Sequence, residues 1–252
     1  MIVKSWFTAK LRADILEKKL KKLSGKDKYP GKICIVVAEQ SVVRACRALD
    51  RANQLADLVE LRLDYLSRPK LAELRPRVKK PLIVTNRLSQ EGGKFKGNEE
   101  ERIGFLKSAL ELKASFIDVE LASPPQYVDE LLRNRNRVKI ILSFHNFKKT
   151  SSFKELQSLL DQMIELHADV AKIVTLARSW LDNLTILNLI LYARARNQKI
   201  VAFCLGEKGK ISRLLSPLMG SEWTYVAWAD NKKVAPGQWS LRELQEIWRR
   251  LI

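Results

Sequence analysis

The chain has 252 residues, 46% of them hydrophobic and 29% charged, which is enough apolar material for a sizeable core and excludes a disordered or fibrous protein. Its length exceeds the commonest domain size but suits a single α/β barrel. The formal net charge of +18 fits either a polyanion partner or the attraction of small anionic substrates, and charge alone does not choose between them.

The start, MIVKSWFTAK, carries no secretory h-region, and no run of about eighteen apolar residues spans a bilayer, so a soluble cytoplasmic protein without membrane contact is expected. Cys34, Cys46 and Cys204 are odd in number and lack CxxC spacing, which reads as three reduced, buried small hydrophobes.

Residues 1–30 are lysine-rich and end at a Pro- and Gly-containing break. Leu11, Ile15, Leu16, Leu20 and Leu23 share one helical stripe, predicting a basic amphipathic helical extension that packs on the body at 31–252. From residue 32, short runs rich in Val, Ile and Leu alternate with longer helical segments. The runs cover 32–38, 58–65, 81–87, 115–121, 138–145, 168–175, 199–205 and 223–228.

Helix starts are also legible, at Asn98 before three glutamates and at Ser240 with Glu243 in capping-box spacing. Eight strand–helix repeats without a GxGxxG turn favour a single (β/α)8 TIM barrel over an open doubly wound sheet. In that fold, function collects at the C-terminal ends of the strands.

The second run, VELRLD, alternates polar and apolar residues. In a parallel barrel strand, Val59, Leu61 and Leu63 face the helices, while Glu60 and Arg62 point inward, where buried charges must be paired or bind something. A half-exposed antiparallel strand would give the same alternation. Arg87 ends the third run, ahead of a glycine-broken loop carrying Glu91, Gly92 and Gly93 that taken alone is an ordinary turn.

His145 closes the fifth run at its C-terminal edge, suiting acid–base work or a structural role. His167 lies at the opposite rim, where a place at a helix C-terminus is expected. Lys172 sits mid-strand in phase with Val170 and Val174, unable to reach water easily. Desolvation disfavours its ammonium form and favours an amine that attacks a carbonyl, with internal ion pairing as the competing explanation. Arg213, beyond a Gly- and Lys-rich turn, suits bidentate capture of a carboxylate, and Gln238 occupies a Pro-Gly turn before the last helix.

In order, VELRLDYL, IVTNR with EGGKFKG, FIDVEL, ILSFHNF, ADVAKIV, GEKGKISR and APGQ resemble the motif series of type I 3-dehydroquinate dehydratases over residues 32–252. The resemblance implies dehydration of 3-dehydroquinate in the shikimate pathway, without metal or organic cofactor, and makes a homodimer plausible. It further implies that Lys172 forms an imine with the substrate, that His145 is the base and then the acid, and that Glu91 orients His145. Glu60, Arg62, Arg87 and Gln238 match substrate-binding positions, and Arg213 matches the carboxylate anchor.

Three residues depart from the family pattern. Val234 stands where the family commonly has Ser, Leu205 where Met is frequent, and Asn146 where Asp often follows the histidine, a change expected to move the His145 pKa down. Another imine-forming lyase or class I aldolase on the same barrel, or a basic nucleic-acid-binding protein, are the readings that compete.

Overall fold

A computed structural model describes residues 31–251; the helical extension expected over residues 1–30 lies outside them. The eight expected runs all become strands: β1 (Lys32–Val37), β2 (Leu58–Arg62), β3 (Leu82–Thr85), β4 (Phe116–Glu120), β5 (Lys139–Asn146), β6 (Val170–Leu176), β7 (Ile200–Leu205) and β8 (Trp223–Val226). Every pairing is parallel, in the order 7-6-5-4-3-2-1-8, so the two edge strands are neighbours in sequence and the sheet curls nearly into a closed barrel. Among the described residues, no helix is long and apolar enough to cross a membrane.

The helices are α1 (Val42–Leu55), the single turn α2 (Leu71–Leu74), α3 (Glu99–Glu111), α4 (Pro125–Arg133), α5 (Phe153–Glu165), α6 (Asp182–Ala195), α7 (Lys210–Met219) and α8 (Leu241–Leu251). Local chemistry sets their starts. Asn98 and Glu101 form a reciprocal capping box ahead of α3, and Ser152 with Glu155 does the same for α5. At α8, the Glu243 amide donates to Ser240 Oγ, and the Ser240 amide donates to Glu243 Oε2. His167 follows α5 with φ 56°, its amide donating to Ile164 O, so it closes that helix as expected.

Two apolar layers result from the period-two alternation. Val59, Leu61, Val119, Leu142 and Ile173 pack outward against helical residues such as Leu49, Leu106 and Leu160. Cys34, Val36, Ile141, Val170, Val174 and Phe203 fill the barrel interior. Each fully buried large aliphatic side chain contributes about 1.5–3 kcal/mol, which makes this double layer the main source of stability. Cys34 and Cys204 are buried as expected, whereas Cys46 is only half-buried because it lies on the flank of α1. β2 ends at Arg62, earlier than the expected run, because Leu63–Tyr65 turn into a 3-10 segment.

Register places the polar residues at common heights. Glu120, Ser143 and Lys172 lie side by side across β4, β5 and β6, and Thr85 neighbours both Arg62 and Asp118.

Candidate active site

A cavity of about 110 Å3 opens at the C-terminal ends of the strands. All eight residues singled out from the sequence border it: Glu60, Arg62, Arg87, Glu91, His145, Lys172, Arg213 and Gln238.

Lys172 is buried, with Nζ 2.7 Å from Asp118 Oδ2 and 3.3 Å from Glu60 Oε1. The internal pairing held open as a competing explanation is therefore present. Its Nζ also lies 4.5 Å from the centre of the Tyr225 ring, which supplies a cation–π contact. Glu60 is held in turn by the Thr85 hydroxyl at 2.9 Å.

Arg87 is 3% exposed and spends its guanidinium on protein groups. Nη2 meets Asp118 at 2.8 Å, while Nη1 meets Glu120 at 2.6 Å and Ser143 Oγ at 2.7 Å. Charge excess around Asp118 overrides its burial: although desolvation by itself raises the carboxyl, Arg87 and Lys172 hold it well below the usual carboxylate range.

The glycine-broken loop is not a solvated turn at Glu91. Gly92 takes φ 80°, and a Cβ there would come within 2.6 Å of the Phe147 ring. A Cβ on Gly93 would meet Arg87 O at 1.9 Å, so only glycine lets the chain double back tightly enough to bury Glu91. Glu91 Oε2 accepts from the His145 amide at 2.9 Å and lies 2.8 Å from Nδ1.

With Glu91 as the carboxylate, which only accepts, both N–H groups donate to Oε2, the proton sits on Nδ1 and Nε2 is left as the basic nitrogen. Burial, opposed in part by Arg87, pushes Glu91 up to about 8. Burial, then the charges of Arg87 and Lys172, pull His145 well below its usual value, so the imidazole is neutral at neutral pH. That is also the direction expected from Asn146, whose Oδ1 accepts from the Lys148 and Lys149 amides and caps the strand end.

Arg62 forms a two-bond pair with Asp64, both contacts at 2.8 Å. Arg213 contrasts with it. The side chain is 1% exposed, Nε and Nη2 have no hydrogen-bond partner among the described residues, and the guanidinium lies 4.2 Å over the Phe203 ring. Burial without a counter-charge pulls it down to about 9. A buried cation of this kind calls for an anionic ligand. Gln238 Oε1 accepts from the Val234 amide at 2.8 Å, which leaves the amide nitrogen as the end free to meet a ligand. Among the described residues, no group of three His, Cys, Asp or Glu side chains is arranged to hold a metal ion.

The model of the type I 3-dehydroquinase family matches residues 33–251. The chain belongs to that family. The 3-dehydroquinate dehydratase of Methanocaldococcus jannaschii is 37% identical over 221 residues, covering 86% of this chain and 97% of that protein. A Dehalococcoides mccartyi protein of the same name is 43% identical over 218 residues, covering 86% and 94%. The crystal structure of a Clostridium difficile type I 3-dehydroquinate dehydratase with covalently modified comenic acid superposes with TM-score 0.79 at 29% identity, covering 88% of this chain and 92% of that one. This chain is thus a type I 3-dehydroquinase family enzyme, a hydro-lyase on a TIM barrel.

Sequence reasoning passes over several residues of this family member's site: Asp118, Glu120, Ser143, Arg102 and Tyr225. The signal for the first two lies in the sequence, because SFIDVEL carries the same alternation as VELRLD. Arg102 had no such signal. It reaches in from α3, giving Nη1 to Glu120 Oε2 at 2.7 Å and its other edge to Glu99. Only the folded chain brings those groups together.

Proposed function

We propose that this chain dehydrates 3-dehydroquinate to 3-dehydroshikimate through an imine on Lys172, as a step of the shikimate pathway. The observation that carries the reading is that one cavity is bordered by a buried lysine, a neutral imidazole held by a carboxyl group, and a buried guanidinium with no counter-ion among the described residues. The names of the relatives and the covalent ligand of the Clostridium difficile structure support it.

In this mechanism Arg213 takes the substrate carboxylate through paired charge-assisted hydrogen bonds. Glu60, Arg62 and the Gln238 amide meet substrate hydroxyls, and Arg87 acts mainly by holding the carboxylates around Lys172. Lys172 sheds one proton, adds to the ketone and expels water, leaving a cationic imine that withdraws electrons from the adjacent carbon. His145 Nε2 removes the proton next to the imine carbon, and the resulting imidazolium protonates the departing hydroxyl. One residue serves as base and then acid because its neutral form is the resting state. Glu91 keeps the ring oriented with Nδ1 protonated.

Incubation with 3-dehydroquinate should produce the ultraviolet absorbance of the conjugated enone. Borohydride added during turnover should fix a substrate-derived adduct on the peptide bearing Lys172, and Lys172→Ala should abolish both signals. Turnover in that variant comparable to wild type would refute the imine. Absence of the enone signal at every pH, with an adduct still trapped by another ketone, would favour the aldolase alternative.

A further inference from the structure

The nitrogen of Lys172 sits against a carboxylate that the proposed acid–base pair does not use. Asp118 is fully buried, with Oδ2 shared between Lys172 Nζ at 2.7 Å and Arg87 Nη2 at 2.8 Å, and with Oδ1 accepting from the Ser143 hydroxyl at 2.7 Å. Arg87 is fixed from behind by Glu120, whose second oxygen is fixed by Arg102. We infer that Asp118 is the counter-ion of the imine nitrogen, a catalytic carboxylate that keeps the Lys172 imine protonated through the reaction. The inference rests on the Lys172 imine proposed above.

The charge balance of the reaction supports it. An ammonium and a ketone give a protonated imine and one water, so the nitrogen carries a single positive charge before and after condensation. An anion placed for the resting ammonium is therefore already placed for the intermediate, with no rearrangement needed. When His145 takes the carbon-bound proton, the C–H electron pair becomes a C=C bond and the C=N pair moves onto nitrogen, giving a neutral enamine and an imidazolium. The nitrogen pair then re-forms C=N, the C–O bond breaks, and the departing oxygen leaves as water with the imidazolium proton. Hydrolysis of the conjugated imine returns the ketone and the ammonium. At every imine stage the electron demand depends on a proton staying on nitrogen, which a carboxylate at hydrogen-bond distance enforces.

Other groups face the same nitrogen without meeting this requirement as well. Glu60 from β2 is farther away and shared with Thr85, Cys34 from β1 has its thiol pushed up by burial, and Tyr225 from β8 offers only its ring face. Arg87 and His145 are the wrong charge or neutral. Arg87 has a second effect: by taking half of the Asp118 oxygen, it limits how strongly the anion neutralises the imine, so the imine remains an electron sink.

The test compares wild type, Asp118→Asn and Asp118→Glu in turnover and borohydride trapping from pH 5 to 10. Asp118→Asn is expected to lose about 100-fold in kcat at pH 7, with KM changed less than tenfold, and to have the alkaline limb of trapping displaced at least one pH unit downward. Asp118→Glu should recover the limb and at least tenfold of the rate. An Asp118→Asn enzyme within fivefold of wild type, with an unmoved limb, overturns the inference while wild-type trapping on Lys172 leaves the imine standing. No adduct on Lys172 in wild type overturns both. Should Asp118→Asn not fold, vibrational spectroscopy of wild type with bound product decides. A deuterium-sensitive C=N band is expected to persist to pH 9, and a deuterium-insensitive band at pH 8 overturns the assignment.

Discussion

Replacing Arg213 with Met separates the two things the buried guanidinium does, because they have opposite signs. Without ligand the charge is a liability: burial lowers it from 12.5 to about 9. At about 1.4 kcal/mol per tenfold change in the protonation equilibrium, that corresponds to at most about 5 kcal/mol of desolvation cost at neutral pH. Stacking on Phe203 returns about 1 kcal/mol. Methionine keeps much of the apolar stem, and the space vacated opens into the ligand cavity rather than into a closed void. A net gain of about 1–3 kcal/mol follows, or a Tm higher by roughly 2–10 °C for a chain of this size.

Binding moves the other way. Two charge-assisted hydrogen bonds to a carboxylate are worth about 3 kcal/mol, so KM should rise roughly a hundredfold. Thermal unfolding without ligand, together with initial rates from the enone absorbance, measures both. A Tm lowered by more than a few degrees, combined with KM within threefold of wild type, would refute the description of Arg213 as an unpaired cation waiting for an anion.

Glu91→Gln tests the carboxyl that burial raises. The folded value of about 8 exceeds the ordinary 4.5, so the native protein holds a proton that the unfolded chain releases, and stability is lost as pH rises from about 4.5 to about 8. The Gln variant lacks this loss, so its Tm relative to wild type should climb between pH 5 and pH 9; a pH-independent difference would contradict the assignment. Gly237→Ala forces a side chain into φ 71° with its Cβ 2.1 Å from Gly206 O. A fall in Tm of several degrees and a rise in KM of about tenfold are expected, from strain in the loop that holds Gln238. Val234→Ser places a hydroxyl on the cavity wall and should lower KM about three- to tenfold, the worth of one added hydrogen bond; an unchanged KM would show that this side chain does not reach the substrate.

Much of the site was readable because a barrel strand imposes one simple rule. With period two and a helix-covered outer face, a charged residue in phase with interior valines has to point into the barrel. That rule located Glu60, Arg62 and Lys172 before any contact was known, and it would have located Asp118 and Glu120 had it been applied evenly to SFIDVEL. His145 was found by its place at a strand's C-terminal edge. Glu91 was not readable from its own segment, because the packing of Gly92 on Phe147 and of Gly93 on the Arg87 carbonyl is what converts a polar turn into a buried carboxyl.

The strand count, the alternation and the capping signals are local properties of the chain, encoded within a turn or a few residues, and they sufficed for the architecture and for which side chains face inward. The partners of those side chains were decided only by closure. Lys172 and Glu60 are 112 residues apart, and Arg87 and Ser143 are 56 apart, so register across several strands sets whether they touch. Charges in a low-dielectric interior depend steeply on such distances. For that reason Lys172, for which the chain left a free amine and an ion pair both open, turns out to be anchored, while Arg213, expected to meet a carboxylate, is a buried cation without an anion among the described residues.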